Sequence, residues 1–345
     1  MSPTIYSIIL SSLATGTIIT MTSYHWLMAW IGLEINTLAI IPIISTKYHP
    51  RSTEAATKYF LTQAAASAMI LFSSTTNAWL TGTWDITQIS TTPSHILLTA
   101  ALAMKLGLAP MHFWLPEVLQ GSTMKTAFII TTWQKLAPMS LIYLTVNNLS
   151  TTILLSLGLL SSMVGGWGGL NQTQMRKIMA YSSIAHLGWM ATISSIMTNL
   201  LMMNLMIYLI MTTTMFWALI LSKSKTIQDT TTTWTFSPSL TIITMLTLLS
   251  LGGLPPLTGF MPKWLILEEL TTQNFTPLAT IMALSALLSL FFYLRLTYTT
   301  TLTMSPNTTK TKFKWRFKPS MMTPLLTMTT PMTIFFLPLT PLILM

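Results

Sequence analysis

Ionisable side chains stand in the middle of long apolar segments of this sequence, where an amine can bind and release a proton. Lys105 lies ten residues after His95, and Lys135 lies ten residues after Lys125. A helix rises about 1.5 Å per residue, so both lysines would stand ~15 Å into a hydrocarbon layer about 30 Å thick. A charge at that depth costs about 2.5–3.5 kcal/mol, which favours a functional role over an accident.

An acid and a histidine are placed at the same depth of two further segments. Glu34 lies nine residues after His25, and His186 lies ten residues after Arg176. The alternative to proton transfer is a set of static ion pairs that fix helix packing. Besides Glu34, only Glu117 is available to neutralise the buried lysines, so at least one lysine is expected to change its protonation state.

The composition shows what kind of chain must position these residues. Its 345 residues include 17 Lys or Arg and 7 Asp or Glu, so only 7% are charged, against about 25% in a typical soluble domain. This excludes a soluble enzyme and a disordered chain, and it predicts a protein solvated by lipid. The sequence has no cysteine, which excludes disulfides, thiolate nucleophiles and cysteine metal sites. No His and carboxylate spacing predicts a metal site either.

Apolar segments separated by Pro, Thr, Ser and charged residues predict an all-α polytopic membrane protein with about eleven transmembrane helices. We place them at 3–21, 25–44, 58–80, 95–121, 125–146, 150–170, 176–196, 199–222, 239–274, 277–300 and 322–343. Loops after even-numbered spans and their flanks hold 14 of the 17 cations. The positive-inside rule then places the N-terminus and the basic loops on the inner side and the C-terminus outside.

Two of these spans contain residues that cannot continue a helix, around 107–116 and 252–262. Each stretch combines Gly with Pro, and Pro breaks a helix interior. The breaks are five spans apart, which predicts inverted five-helix repeats within a single membrane domain, 1–345. Repeat one is 1–146, repeat two is 150–300, and 322–343 is an extra helix. Lys105 would end one half-helix, where the dipole favours a cation, and Lys263 would begin another, where the dipole disfavours one.

Four segments carry a resemblance to a known family. Residues 105–118 read KLGLAPMHFWLPEV, residues 30–36 read WIGLEIN, residues 133–138 read WQKLAP, and residues 252–260 read GGLPPLTGF. These segments resemble the antiporter-like subunits of respiratory complex I, and the resemblance extends over the whole chain.

The resemblance implies a role for each matching residue in moving protons. Glu34 and Lys105 would be a coupled pair whose separation changes the proton affinity of the lysine. Lys135 would relay protons along a central polar axis, and Lys263 would connect toward proton release or a neighbouring subunit. Three weaker candidates join them as relay members: His112, His186 and Glu117. For the histidines, the simpler alternative is a buried ring hydrogen-bonded to backbone.

The resemblance also implies an assembly and a location. The chain would be a subunit of proton-translocating NADH:ubiquinone reductase with no redox centre of its own. NADH, FMN, iron-sulfur clusters and ubiquinone would bind other subunits. Its partners would be neighbouring antiporter-like and small membrane subunits in the mitochondrial inner membrane. Its N-terminus and basic loops would face the matrix, and its C-terminus the intermembrane space.

Two alternative functions and one basic segment remain open. The family also includes stand-alone cation/proton antiporters, and a non-pumping structural spacer is the third possibility. Cations alternate with aromatic residues along 310–318. That pattern fits single-stranded nucleic acid, but beside a membrane span it favours anionic lipids such as cardiolipin, or the acidic surface of a partner. We therefore expect lipid and protein partners and no nucleic acid.

Overall fold

The structure is a computed structural model, and it describes residues 2–46, 49–302 and 324–339. Within these ranges every extended regular element is helical, and isolated bridges pair His25 with Asp85 and Gln174 with Thr226. The all-α prediction is confirmed. The α-helices are α1 (Pro3–Thr22), α2 (Trp26–Ile44), α3 (Pro50–Thr81), α4 (Thr92–Leu106), α5 (Trp114–Gly121), α6 (Met124–Thr131), α7 (Trp133–Thr145), α8 (Thr151–Gly169), α9 (Met175–Ser194), α10 (Thr198–Ser222), α11 (Ile227–Thr231), α12 (Thr233–Phe236), α13 (Pro238–Gly252), α14 (Phe260–Thr272), α15 (Thr276–Leu302) and α16 (Pro324–Phe335).

Five of the described helices are long and apolar enough to cross a membrane: α1, α2, α8, α10 and α15. Other predicted spans consist of two shorter helices in sequence, such as α4 with α5 and α13 with α14. Helix α3 is 32 residues long but carries more polar side chains than the five. The number of eleven spans therefore stays a prediction, while the membrane character of the chain is supported by these helices.

The chain divides into two compact units. Unit 1 contains Met1–Ser161 and Met190–Thr198, and unit 2 contains Ser162–Trp189 and Asn199–Met345. The first predicted break lies in unit 1 and the second in unit 2. The relation of the two halves as inverted repeats remains a prediction.

Threonine and serine side chains are compatible with these helices because they bond back to the preceding turn. Thr20 Oγ1 donates to the carbonyl oxygen of Thr17 at 2.8 Å, and Ser73 Oγ donates to that of Ile70 at 2.7 Å. The hydroxyl hydrogen is thereby satisfied without water. A helix rich in these residues can consequently be buried or face lipid at little cost.

Both predicted breaks are present, and a left-handed glycine begins each of them. Helix α4 ends at Gly107 with φ +78°, and α13 ends at Gly253 with φ +81°. Each glycine N–H donates to carbonyls of the last helical turn. Helices resume only at Trp114 and at Phe260. Glycine reaches this backbone region without the steric cost of a Cβ atom, which explains why each helix stops where it does.

Candidate functional site

Glu34 and Lys105, which the resemblance implies to be a coupled pair, both lie in unit 1. Lys105 stands in the last turn of α4 and is only 4% exposed. Glu34, on α2, is half-buried, and its carboxylate attracts the Lys105 ammonium. In the part of the chain that the structure describes, the ion pairs within 4 Å are both made by Lys58. The Glu34 carboxylate and the Lys105 ammonium thus interact through space without forming an ion pair within 4 Å.

Buried polar atoms surround this pair. Lys105 Nζ and Glu34 Oε2 are buried and have no hydrogen-bond partner among the described residues, and the same is true of the Asn36 amide and of Gln63 Nε2. Buried polar groups in proteins are nearly always hydrogen-bonded to protein or to ordered water. Such a concentration of unpartnered groups is typical of a place where water binds.

A small cavity lies among these groups. Its volume is about 10 Å³, close to the minimum that one water molecule requires. The polar side chains on its wall come from α2, α3, α4 and α7: Asn36, Thr37, Tyr59, Gln63, Lys105, Gln134 and Lys135. The cavity therefore offers a single polar space that both Lys105 and Lys135 reach.

Lys135 binds the end of the broken helix α4. Its Nζ donates to the carbonyl oxygen of Leu106 at 2.5 Å and lies 5.4 Å from the centre of the Trp114 ring. Trp114 Nε1 donates to the carbonyl oxygen of Met104 at 3.2 Å. The last carbonyls of a helix carry partial negative charge, so this position stabilises the ammonium form.

Lys263 makes the corresponding contact in unit 2. It stands in the first turn of α14, as predicted, but its Nζ donates to the carbonyl oxygen of Gly252 at 2.8 Å. Gly252 is the last residue of α13, so the ammonium caps a helix C-terminus. The expectation that the helix dipole disfavours this cation was wrong, because helical side chains lean toward the N-terminus of their own helix and Lys263 reaches back across the break.

His186 lies near Lys263 in unit 2. It is 7% exposed on α9, and its ring centre lies 5.6 Å from that of Tyr208. The Lys263 ammonium acts electrostatically on the imidazole. The structure thus brings together two of the predicted relay residues in this unit.

The remaining two candidates have other surroundings. His112 Nδ1 lies 3.2 Å from the carbonyl oxygen of Pro110, which is the simpler arrangement that we considered for a buried histidine. Glu117 is exposed, and its carboxylate pairs with Lys58 at 2.6 Å. Lys58 also pairs with Glu54 at 2.5 Å. These contacts join α5 to the first turns of α3, outside the walls of the polar cavity.

Comparison with known protein families shows which family this chain belongs to. Residues 23–289 match the family described as NADH:quinone oxidoreductase/Mrp antiporter, TM. The chain belongs to this family. Residues 290–344 match a second family, described as NADH dehydrogenase subunit 2 C-terminus.

Curated and solved relatives agree with the membership of the NADH:quinone oxidoreductase/Mrp antiporter family. The chain is 57% identical over 342 residues to NADH-ubiquinone oxidoreductase chain 2 of Xenopus laevis, covering 99% of both chains. It is similar to a chain of respiratory complex I from Thermus thermophilus with bound aureothin, with 26% identity and a TM-score of 0.82, covering 94% of this chain and 75% of that one. A chain of the Mrp complex from Dietzia is 15% identical, with a TM-score of 0.76 over 84% of this chain and 59% of that one, and shows the shared fold. The family resemblance is confirmed.

Sequence reasoning missed the amide and phenol side chains of the cavity in unit 1. Gln63, Gln134 and Tyr59 line it, and Tyr59 Oη lies 3.5 Å from Gln134 Oε1. An amide inside an apolar helix was the available signal, because it is costly to bury without a partner. The basic segment 310–318 lies outside the described residues.

Proposed function

We propose that Glu34, Lys105, Lys135, His186 and Lys263 relay protons through this chain, a proton-translocating membrane subunit of NADH:ubiquinone oxidoreductase. The observation that carries the proposal is the Lys105 ammonium. It is buried, it has no hydrogen-bond partner among the described residues, it lines a cavity of about 10 Å³, and the Glu34 carboxylate attracts it. An amine held in this way has little to stabilise its charge except a nearby carboxylate and water.

The Glu34 carboxylate would control the charge of Lys105. At an effective dielectric constant of about 20, two unit charges attract by about 4 kcal/mol at ~4 Å and by half as much at ~8 Å. A change in their separation is therefore enough to move a proton onto or off the amine. Because the two groups are not in direct contact, a modest movement of α2 or α4 would change their coupling.

Lys135 is the next acceptor because it lines the same cavity as Lys105. A proton leaving Lys105 would pass to water in the cavity and then to the Lys135 amine. The Leu106 carbonyl and the Trp114 ring hold the Lys135 side chain in place and favour its protonated state. In unit 2, Lys263 and His186 form the corresponding pair of proton carriers.

The chain would work within a larger assembly. NADH oxidation and quinone reduction would occur on other subunits, where NADH, FMN, iron-sulfur clusters and ubiquinone bind. Its neighbours would be other membrane subunits of complex I in the mitochondrial inner membrane. The basic loops would face the matrix, the C-terminus would face the intermembrane space, and anionic lipid would contact the segment 310–318.

Two other functions would require different chemistry. A stand-alone cation/proton antiporter needs oxygen ligands for Na⁺, whereas ammonium groups dominate these sites. A non-pumping spacer would keep the fold and use the buried charges only for packing. The 57% identical relative over the full chain supports the complex I subunit.

The experiment replaces Lys105 and compares the result with an exposed lysine. Lys105→Ala and Lys105→Met are introduced into complex I, and the enzyme is reconstituted into liposomes. We expect assembled enzyme with impaired coupled turnover and fewer protons moved per electron. Lys125→Ala is the control, since Lys125 is exposed in the first turn of α6, and it should behave like the unmodified enzyme.

A normal proton-to-electron ratio in assembled Lys105→Ala enzyme would overturn the proposal and favour the spacer. Sodium-dependent proton movement without NADH oxidation would favour the antiporter. Both measurements use the same vesicles, so assembly and orientation are common to all variants.

A further inference from the structure

A hydrogen bond joins the break in unit 2 to helix α16. Thr258 lies within the break, and its Oγ1 donates to the carbonyl oxygen of Thr333 at 2.7 Å. Both residues are buried, with Thr258 1% and Thr333 0% exposed. Thr333 lies in the last turn of α16, and the carbonyls of a last turn lack partners within their helix and carry partial negative charge. The Thr258 hydroxyl therefore meets an acceptor that favours a donor.

The surroundings of this bond are apolar. The crevice beside Thr258 has no space for a water molecule. Besides Thr258, its walls consist of side chains from α10, from α16 and from the residue that follows α16: Ile207, Ile210, Met211, Met332 and Phe336. A hydrogen bond in such surroundings is stronger than one in water, and an acceptor that loses its donor there is costly. The bond therefore holds Thr258 against α16.

Thr258 also lies at the start of α14. Its carbonyl oxygen accepts from the N–H group of Met261 at 3.3 Å, in the first turn of that helix. A Cβ atom at Gly259 would overlap the carbonyl oxygen of Ser250, so the chain directly after Thr258 touches the backbone of α13. Lys263 stands in the same first turn of α14. The turn that carries Lys263 is thus attached both to α13 and, through Thr258, to α16.

The break in unit 1 is held by a different bond. In both breaks the helix resumes seven residues after the left-handed glycine, at Trp114 in unit 1 and at Phe260 in unit 2. Trp114 Nε1 donates back to the Met104 carbonyl oxygen of α4 at 3.2 Å. A phenylalanine ring has no N–H group, so Phe260 cannot make the corresponding bond. In unit 2 the bond from Thr258 to α16 takes the place of the bond that the tryptophan makes in unit 1.

We propose that Thr258 is a positioning residue for Lys263 and that α16 holds it in place. With Thr258 bound to α16, α14 begins where the Lys263 side chain crosses the break and donates to the Gly252 carbonyl oxygen at 2.8 Å. Without this bond α14 is free to shift, and the ammonium loses its acceptor for part of the time. The inference rests on the proposed function and deepens it, because it gives the helix outside the two predicted repeats a part in proton transfer.

The test removes the Thr258 hydroxyl while keeping the volume of the side chain. Thr258→Val and Thr258→Ser are introduced into complex I, and proton pumping is measured in reconstituted liposomes. The valine variant should lose coupled turnover by about fivefold, the factor that corresponds to one hydrogen bond of ordinary strength. The serine variant should stay close to the unmodified enzyme. A role in packing predicts the opposite order and would overturn the proposal, since serine leaves a cavity and valine does not.

Thr333→Val is the matched control. It also removes one buried threonine hydroxyl, which donates to the Thr330 carbonyl oxygen within α16 at 2.8 Å. The backbone carbonyl that accepts from Thr258 is kept, so coupled turnover should be unchanged. Equal losses in Thr258→Val and Thr333→Val enzyme would overturn the proposal, because the loss would then follow the removal of any buried hydroxyl in this region.

A double variant separates the positioning of Lys263 from general support of the fold. Lys263→Met should impair coupled turnover, and the addition of Thr258→Val should cause no further loss, because the lysine to be positioned is absent. Independent losses that multiply would show that Thr258 does not act through Lys263, and would overturn the proposal. Should Thr258→Val fail to assemble, Thr258→Cys replaces it in every comparison, since a thiol is similar in size and is a weak donor.

Failure of this inference and failure of the proposed function are distinguishable in the same assay. Impaired Lys263→Met enzyme beside normal Thr258→Val enzyme would refute the positioning role and leave the relay intact. Normal proton pumping in both Lys105→Met and Lys263→Met enzyme would refute the relay, and with it the need to position Lys263.

Discussion

Lys135 Nζ donates to the carbonyl oxygen of Leu106 at 2.5 Å, although another lysine, Lys105, lies only one residue before that carbonyl along the chain. The reason is the direction of helical side chains, which lean toward the N-terminus of their own helix. Lys105 points back along α4 toward the polar cavity, and the helix end is left for an ammonium from α7. The break in α4 thereby gives different partners to two lysines that line the same cavity.

Removal of the Lys135 ammonium should destabilise this end of α4. In Lys135→Met enzyme the Leu106 carbonyl loses a charge-assisted hydrogen bond, whose contribution is about 1.5–3 kcal/mol. We expect a lower midpoint of thermal inactivation together with impaired proton pumping. Lys125→Met, which changes an exposed lysine of the same unit, should leave both properties unaltered. An unchanged midpoint in Lys135→Met enzyme would contradict the role of this bond.

The glycine that begins the second break should tolerate no side chain. A Cβ atom at Gly253 would lie 3.0 Å from Lys263 Nζ, and the backbone has φ +81°. Gly253→Ala should therefore displace the Lys263 side chain and also add about 1–2 kcal/mol of backbone strain. Coupled turnover and thermal stability are both expected to fall.

Gly82→Ala separates these two effects. Gly82 has φ +73° and no atom within 4 Å of a Cβ position. The alanine there introduces backbone strain alone, so stability should decrease while coupled turnover per assembled enzyme is kept. Equal loss of turnover in both variants would mean that strain, and not the position of Lys263, is responsible.

Gln63 should matter for the polar cavity of unit 1. Its side chain lines the cavity, and its Nε2 is buried without a partner among the described residues. Gln63→Met keeps a similar volume but removes the polar atoms that would hold water, so proton pumping should fall while the enzyme assembles. Met is expected to stabilise the fold slightly, because an unpartnered amide no longer has to be buried. Lower stability with normal pumping would instead indicate a packing role.

The turn after α10 should depend on pH through Asp229. Burial raises the pKa of Asp229, but hydrogen bonds from the backbone N–H groups of Lys225 and Thr226 lower it more, so its pKa lies below the ordinary 3.8. A lowered pKa means that the carboxylate stabilises the turn fully above pH 3.8 and less as the pH falls through the folded-state pKa.

Asp229→Ala should therefore increase hydrogen exchange at the Lys225 and Thr226 amides at neutral pH, by the loss of a cap that contributes about 1 kcal/mol. At a pH below the folded-state pKa the unmodified chain should lose the same protection. Thr231→Ala is the control, since its exposed hydroxyl bonds only the Gln228 carbonyl. A constant difference between the two chains at every pH would show that the charge is irrelevant.

Local chemistry was sufficient to predict the helical class of the chain and its two breaks near 107–116 and 252–262. Gly and Pro near 107–116 and 252–262 mark the breaks because one adopts positive φ and the other lacks an N–H group. The constant rise of a helix predicts the depth of Lys105 and Lys135 in the membrane. These features depend on a few neighbouring residues, so they can be predicted from the sequence.

Only the tertiary structure shows which groups surround each charged side chain. Lys263 was expected at an unfavourable helix end, yet it caps the C-terminus of α13 because its side chain crosses the break. Tyr59, Gln63 and Gln134 meet at one cavity although they come from α3 and α7. By itself the sequence predicted that Lys105, Lys135 and Lys263 are buried, which the structure confirms. Which carbonyl, carboxylate or cavity each one meets was decided by helix packing, since such contacts join residues far apart in the chain.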